Sequence, residues 1–189
     1  MSESIIDRLY KDNQALVTYL RDAGEISLQI NTDGNFRKIL LLSAASYFES
    51  LLTDHIVKIF SDRTNGAEPI IEFIKNKAIS HQWYSYFAWD RSNANQFFGL
   101  FGPKFKDFMT DQVDNNTELE ASIRAFLELG NLRNQLAHRN LANFPLEKTA
   151  DEIYELYQNA LTFVEVFPQR LRDFLDNKTA SNGNRPADD

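Results

Sequence analysis

The chain contains no cysteine, which removes disulfides, thiolate metal sites and a cysteine nucleophile together. Glycine totals 7 and proline 5 among 189 residues, too few for an architecture of many short strands and tight turns, so long regular elements are expected. No run approaches the ~18 apolar residues of a membrane span. The first residues, "MSESIIDRLYKDNQ", meet charge after only two consecutive isoleucines, where a signal peptide needs an apolar stretch. A soluble cytoplasmic protein with no membrane partner is expected. Basic excess is missing too: 20 Lys and Arg face 27 Asp and Glu, a net charge of −7. That argues against a broad face coating long nucleic acid through counterion release, while leaving room for a local pocket that engages one or two phosphates. No His-x3-His, His-Glu-x2-His, calcium-loop, Walker or Gly-x-Ser-x-Gly pattern occurs, so neither a metal nor a cofactor is expected.

What the chain does have is apolar and aromatic bulk: 43% hydrophobic residues, including 15 Phe, 7 Tyr and 2 Trp. This suffices for one globular domain and is short for two, so a single domain over 1–175 is expected. The polar end, "DNKTASNGNRPADD", predicts a disordered tail over 176–189. Behind a Ser4 N-cap, Ile5, Ile6, Leu9, Tyr10, Leu16, Val17 and Leu20 fall at helical spacing, and Gly24 is placed to stop that helix. Ile26, Leu28 and Ile30 alternate before an Asp-Gly turn signal, which predicts a short extended segment or a packed loop. The stripe from Phe36 to about Ser61, interrupted by His55, predicts the longest helix, and His55 is expected to be a satisfied core or boundary residue. A shorter helix is expected from Pro69 to Ile79.

Residues 81–108 hold ten aromatics in 28 positions, predicting short helices and turns whose rings serve the core rather than stack on unpaired bases. Lys104 and Lys106 there suit either a phosphate backbone or plain solvation. Thr117 with Glu120, and Thr149 with Glu152, have the spacing of capping boxes that open two further helices. Pro168 is expected to kink or restart the last one. Amphipathic helices without a convincing strand set imply an all-α, antiparallel helical bundle.

One stretch departs from that pattern. "NLRNQLAHRN", 131–140, gathers arginine, asparagine and histidine at a helix end. In an unbroken helix Arg133 and His138 stand about 7.5 Å apart along the axis and about 140° around it, so they do not share a stripe. Asn134 and His138 do, as an i, i+4 pair, and the long arginine side chain can reach around toward them. Imidazole exchanges protons near neutral pH, and guanidinium offers a fixed fork of donors to phosphate oxygens. Asparagine can orient the ring or donate to a phosphate oxygen. The plain alternative is a surface arginine beside a helix-terminal histidine that interacts with the last carbonyls. Arg-x4-6-His alone is expected by chance about 0.5 times in such a chain, and about 0.05 times once Asn must follow Arg.

"RNQLAH" resembles the Arg-Asn-x3-His form of the Arg-x4-6-His motif of HEPN domains, and "LLLSAASYFESLL" resembles the long helix of the RiboL-PSP-type subgroup. The resemblance implies an all-α bundle that dimerises, bringing two motifs into one cleft, and a metal-independent endoribonuclease. Arg133 and His138 would then be the catalytic pair, with Asn134 and Glu49 in support. The 2′-hydroxyl would attack the adjacent phosphate, leaving a 2′,3′-cyclic phosphate, which makes RNA the substrate. A toxin or defence effector, with an antitoxin or regulatory protein as partner, fits that class. A non-catalytic module binding RNA, a nucleotide or a protein is the alternative.

Overall fold

The computed structural model describes residues 3–139 and 144–182, with side chains described as far as 177. Helix α1, Ile5–Asp22, begins at Ser4, whose hydroxyl accepts from the Asp7 amide while the Asp7 carboxylate accepts from the Ser4 amide. Two orphan donors are satisfied reciprocally. At the other end Gly24 takes a left-handed φ of 77°, the conformation that closes a helix with least steric cost in glycine.

Helix α2, Ile26–Arg63, starts ten residues earlier than its apolar stripe. The alternation of Ile26, Leu28 and Ile30 marks no strand, for all three are more than half exposed or at its edge, at 50%, 53% and 61%. Once the stripe from Phe36 is helical, adding residues at its N-terminus avoids a second nucleation. The Arg37–Asp33 ion pair, 2.7 Å at i, i+4, spans the Asp-Gly that looked like a turn. His55 does sit at the core boundary, but its Nδ1 is buried without a hydrogen-bond partner, so it is not satisfied as expected. Burial lowers its pKa.

Helix α3, Glu68–Phe73, passes into a π-helical stretch, Ile74–Ile79, where one continuous helix was expected. Short helices α4, Trp83–Tyr86, and α5, Asn95–Gly99, precede α6, Pro103–Asp114. Helix α7, Thr117–Ala137, is capped by Asn116, whose side chain accepts from the Leu119 amide at 3.0 Å. The Thr117–Glu120 box is therefore not the cap, because asparagine one residue earlier is the stronger N-cap and takes the extended backbone that a cap needs. The second box forms as expected: Thr149 Oγ1 accepts from the Glu152 amide at 3.2 Å and Glu152 Oε2 from the Thr149 amide at 2.7 Å. Helix α8, Ala150–Asn182, contains Pro168 in its interior and is not restarted there. It also runs beyond 175, and the rest of the expected tail, 183–189, lies outside the described residues.

No strand occurs among the described residues, and the bundle is all-α. Helices α7 and α8 form the largest contact, with α2 packed on α8, α1 and α7. Phe48 of α2, Phe126 of α7 and Tyr157 of α8 are fully buried and meet at ring-centroid distances of 5.3 and 5.8 Å. Stacked and tilted rings at this spacing add to the area they bury. Ser122 is the buried polar side chain of α7; its hydroxyl accepts from the Phe163 amide at 2.7 Å and pins α7 to α8. This packing fixes the C-terminal end of α7 between α2 and α4.

Candidate active site

Helix α7 ends at Ala137, with His138 as its C-cap and the His138 amide donating to the Asn134 carbonyl at 3.1 Å. His138 keeps near-helical backbone angles, φ −90° and ψ −3°, so the chain does not turn it toward Arg133. Its side chain is exposed, whereas Arg133 and Asn134 are partly buried. The two motif residues share a third as a neighbour. Tyr84 of α4 lies with its ring 4.5 Å from the Arg133 guanidinium carbon, and its ring centre is 6.5 Å from that of His138. Arg133 and His138 are thus no further apart than those two distances laid end to end.

Arg133 has other neighbours. Its Nη1 donates to Asn134 Oδ1 at 3.3 Å, which leaves the Asn134 amide nitrogen as that residue's donor toward a ligand. From α2, Glu49 Oε2 stands 3.9 Å from Arg133 Nη2, with the arginine side chain 18% exposed and the glutamate 37%. The carboxyl group of Glu49 is nonetheless held above its ordinary range, because burial outweighs the opposing pull of Arg133. A contact at the outer limit of an ion pair gives less Coulombic return than a close bidentate one. Glu49 therefore faces the guanidinium only at the limit of an ion pair.

Beneath Arg133 lies a small cavity of about 10 Å³ bounded by Phe48, Trp83, Trp89, Phe126 and Gly130 among others, room for one water at most. Trp89 packs against α7 at Gly130: a Cβ there would meet Trp89 Cζ3 at 2.0 Å and Cε3 at 2.3 Å. From this seat Trp89 Nε1 donates to the Tyr84 carbonyl at 3.0 Å.

All four residues singled out in the sequence, Arg133, Asn134, His138 and Glu49, fall at this one end of α7. Tyr84 was missed, because it stands among aromatics that do serve the core. A signal did exist: Trp83, Tyr86 and Phe87 occupy i, i+3 and i+4 and are buried, leaving Tyr84 off that stripe and 49% exposed. Lys104 and Lys106 are exposed on α6. Among the described residues no three His, Asp or Glu side chains gather as a metal site would require, and no helix is long and apolar enough to cross a membrane.

An all-α bundle with arginine, asparagine and histidine at the C-terminal end of one helix has the make-up of a HEPN domain. The RiboL-PSP-HEPN family model matches residues 7–173, and the chain belongs to that family. The match runs from α1 into α8 and takes in Glu49, Tyr84, Arg133, Asn134 and His138. Neither the curated proteins nor the solved structures contain a match to this chain. Family membership supports a ribonuclease or RNA-binding module at the level of class.

Proposed function

We propose that this HEPN domain is a metal-independent endoribonuclease that works as a homodimer, with Arg133 and His138 as its catalytic pair. The observation that carries the reading is that both side chains, although projected about 140° apart by the helix, converge on Tyr84. In the proposed reaction the ribose 2′-oxygen bonds to phosphorus and the bond from phosphorus to the 5′-oxygen breaks. One imidazole accepts the 2′-hydroxyl proton, and a second, from the other copy, gives a proton to the departing 5′-oxygen. Arg133 and the Asn134 amide donate to the non-bridging oxygens, where charge accumulates in the transition state. Glu49 restrains Arg133 from behind. A toxin or defence role, held in check by an antitoxin or regulatory protein, is consistent with such an activity.

The test is the chemistry of the products with EDTA present. Single-stranded RNA should yield 2′,3′-cyclic phosphate and 5′-hydroxyl ends, and a 2′-deoxy residue at the cleaved position should abolish scission there. Cleavage that needs an added metal, or that leaves 5′-phosphates, contradicts the mechanism. One observation favours a second reading. Arg133 is largely covered and already engaged by Asn134, Glu49 and Tyr84, as in a non-catalytic module that binds RNA, a nucleotide or a protein. RNA retained intact by the wild-type dimer would support that reading instead.

A further inference from the structure

Tyr84 stands apart from the other aromatics of its segment. Trp83, Tyr86, Phe87 and Trp89 form a continuous cluster with Phe97 and Phe126 at centroid distances from 4.5 to 6.3 Å. Tyr84 joins none of these contacts; among the described residues its ring neighbours are His138 and Arg133. A half-exposed tyrosine on a helix of four residues contributes little to the core. Its backbone, by contrast, is closely held. The Tyr84 carbonyl accepts from Trp89, the neighbouring Ser85 carbonyl accepts from Gln96 Nε2 at 2.7 Å, and Tyr86 donates its hydroxyl to the Ala78 carbonyl. A half-exposed ring whose main chain is held at its own carbonyl and at that of Ser85, with the Tyr86 side chain anchoring the next residue, is suited to hold something else in place.

We infer that Tyr84 is a positioning residue for Arg133: its ring face fixes the guanidinium toward the scissile phosphate, and Trp89, seated on Gly130, holds the Tyr84 main chain that carries the ring. The inference rests on the ribonuclease reading for its catalytic consequence, but not for its geometry. Arginine has four side-chain torsions to order. A cation held over an aromatic face surrenders that freedom before substrate arrives, so the saving appears in the transition state rather than in binding. Glu49, at 3.9 Å, is too distant to set the angle of the guanidinium plane by itself. The tyrosine ring adds that restraint without competing for the donors that face an anion. The hydroxyl plays no part in this role, so phenylalanine should serve and leucine should not.

The experiment compares wild type, Tyr84→Phe and Tyr84→Leu by two readouts. In turnover of a single-stranded RNA, Tyr84→Leu should lower kcat roughly 5- to 30-fold, the range expected for losing a cation–π contact of this kind. Its KM should stay near the wild-type value, and Tyr84→Phe should restore kcat to within about threefold. A raised KM with unchanged kcat would make Tyr84 a base-stacking residue and overturn the inference. So would equal losses in the Phe and Leu variants. The second readout is proton NMR of the Arg133 side chain, assigned with Arg133→Lys. Its δ-methylene protons should lie upfield from the ring current, in wild type and Tyr84→Phe alone. An unshifted wild-type resonance overturns the placement. If wild type shows no turnover but the shift is present and ring-dependent, the ribonuclease reading fails while the positioning geometry stands.

Discussion

Gly130→Ala tests the support of the site through one methyl group. In a helix interior, alanine ordinarily gains about 1 kcal/mol over glycine. At position 130 the new Cβ falls 2.0 Å from Trp89 Cζ3 and 2.3 Å from Cε3, so the rigid indole must retreat by more than ~1 Å to reach ordinary contact. Over-packing of this kind costs about 1–3 kcal/mol. The retreat also breaks the 3.0 Å bond from Trp89 Nε1 to the Tyr84 carbonyl, about 1 kcal/mol more. Set against the helix-propensity gain, these leave a net loss of about 1–3 kcal/mol, or roughly 2–12 °C in Tm for a chain of this size. Urea titration followed by circular dichroism gives the stability, and tryptophan emission reports the displaced indole. The double variant Gly130→Ala with Trp89→Leu should lose less than the sum of the two single changes, because the clash is gone. If Gly130→Ala alone is as stable as wild type or more so, Trp89 does not rest on that glycine and the chain of support to Tyr84 falls.

Other outcomes follow from named contacts. Asn116→Ala should cost about 1 kcal/mol by removing the cap of α7, whereas Thr117→Ala should cost much less; equal costs in a urea titration would return the cap to Thr117. Burial pushes the Tyr10 and Tyr157 phenols up to about 12 from an ordinary 10. Both keep α1 against α8, through Tyr10 to Asp151 and Tyr157 to Ser4. Their raised folded values mean that this stability is fully present below pH 10 and is lost as pH rises through about 12. The last of the phenolate absorbance should appear together with loss of helical signal; ionisation of all seven tyrosines near pH 10 would contradict it. Glu49 should titrate above the ordinary carboxylate range, and higher still in Arg133→Ala, because the residual attraction that opposes burial is then gone. A carbon-13 NMR titration that moves downward on that substitution would be the opposite sign.

Periodicity made much of the bundle legible. Leu119, Ile123, Phe126, Ile153, Tyr157 and Phe167 are apolar at helical spacing and are all buried, so α7 and α8 followed from pattern. The start of α2 did not. Ile26, Leu28 and Ile30 alternate as a strand would, yet remain exposed; with no neighbouring strand to accept the ladder, the backbone bonds locally in a helix. The cap of α7 was misplaced by one residue because two N-cap residues, Asn116 and Thr117, stand side by side, and only backbone geometry separates them. Arg133, Asn134 and His138 were legible because polar residues crowd one helix end. The ring that Arg133 and His138 both neighbour was not, since Tyr84 lies 49 positions earlier in the chain than Arg133. Periodicity within one helix carries no information on which side chain of another element fills its groove.

The claim that Arg133 and His138 act together on one phosphodiester is tested most directly by cleavage rates of single-stranded RNA in EDTA for wild type, Arg133→Ala and His138→Ala. Each substitution should lower the rate about 10²-fold or more, while His138→Ala, at an exposed helix end, leaves urea stability within about 0.5 kcal/mol of wild type. Undiminished cleavage by purified His138→Ala protein would contradict the account.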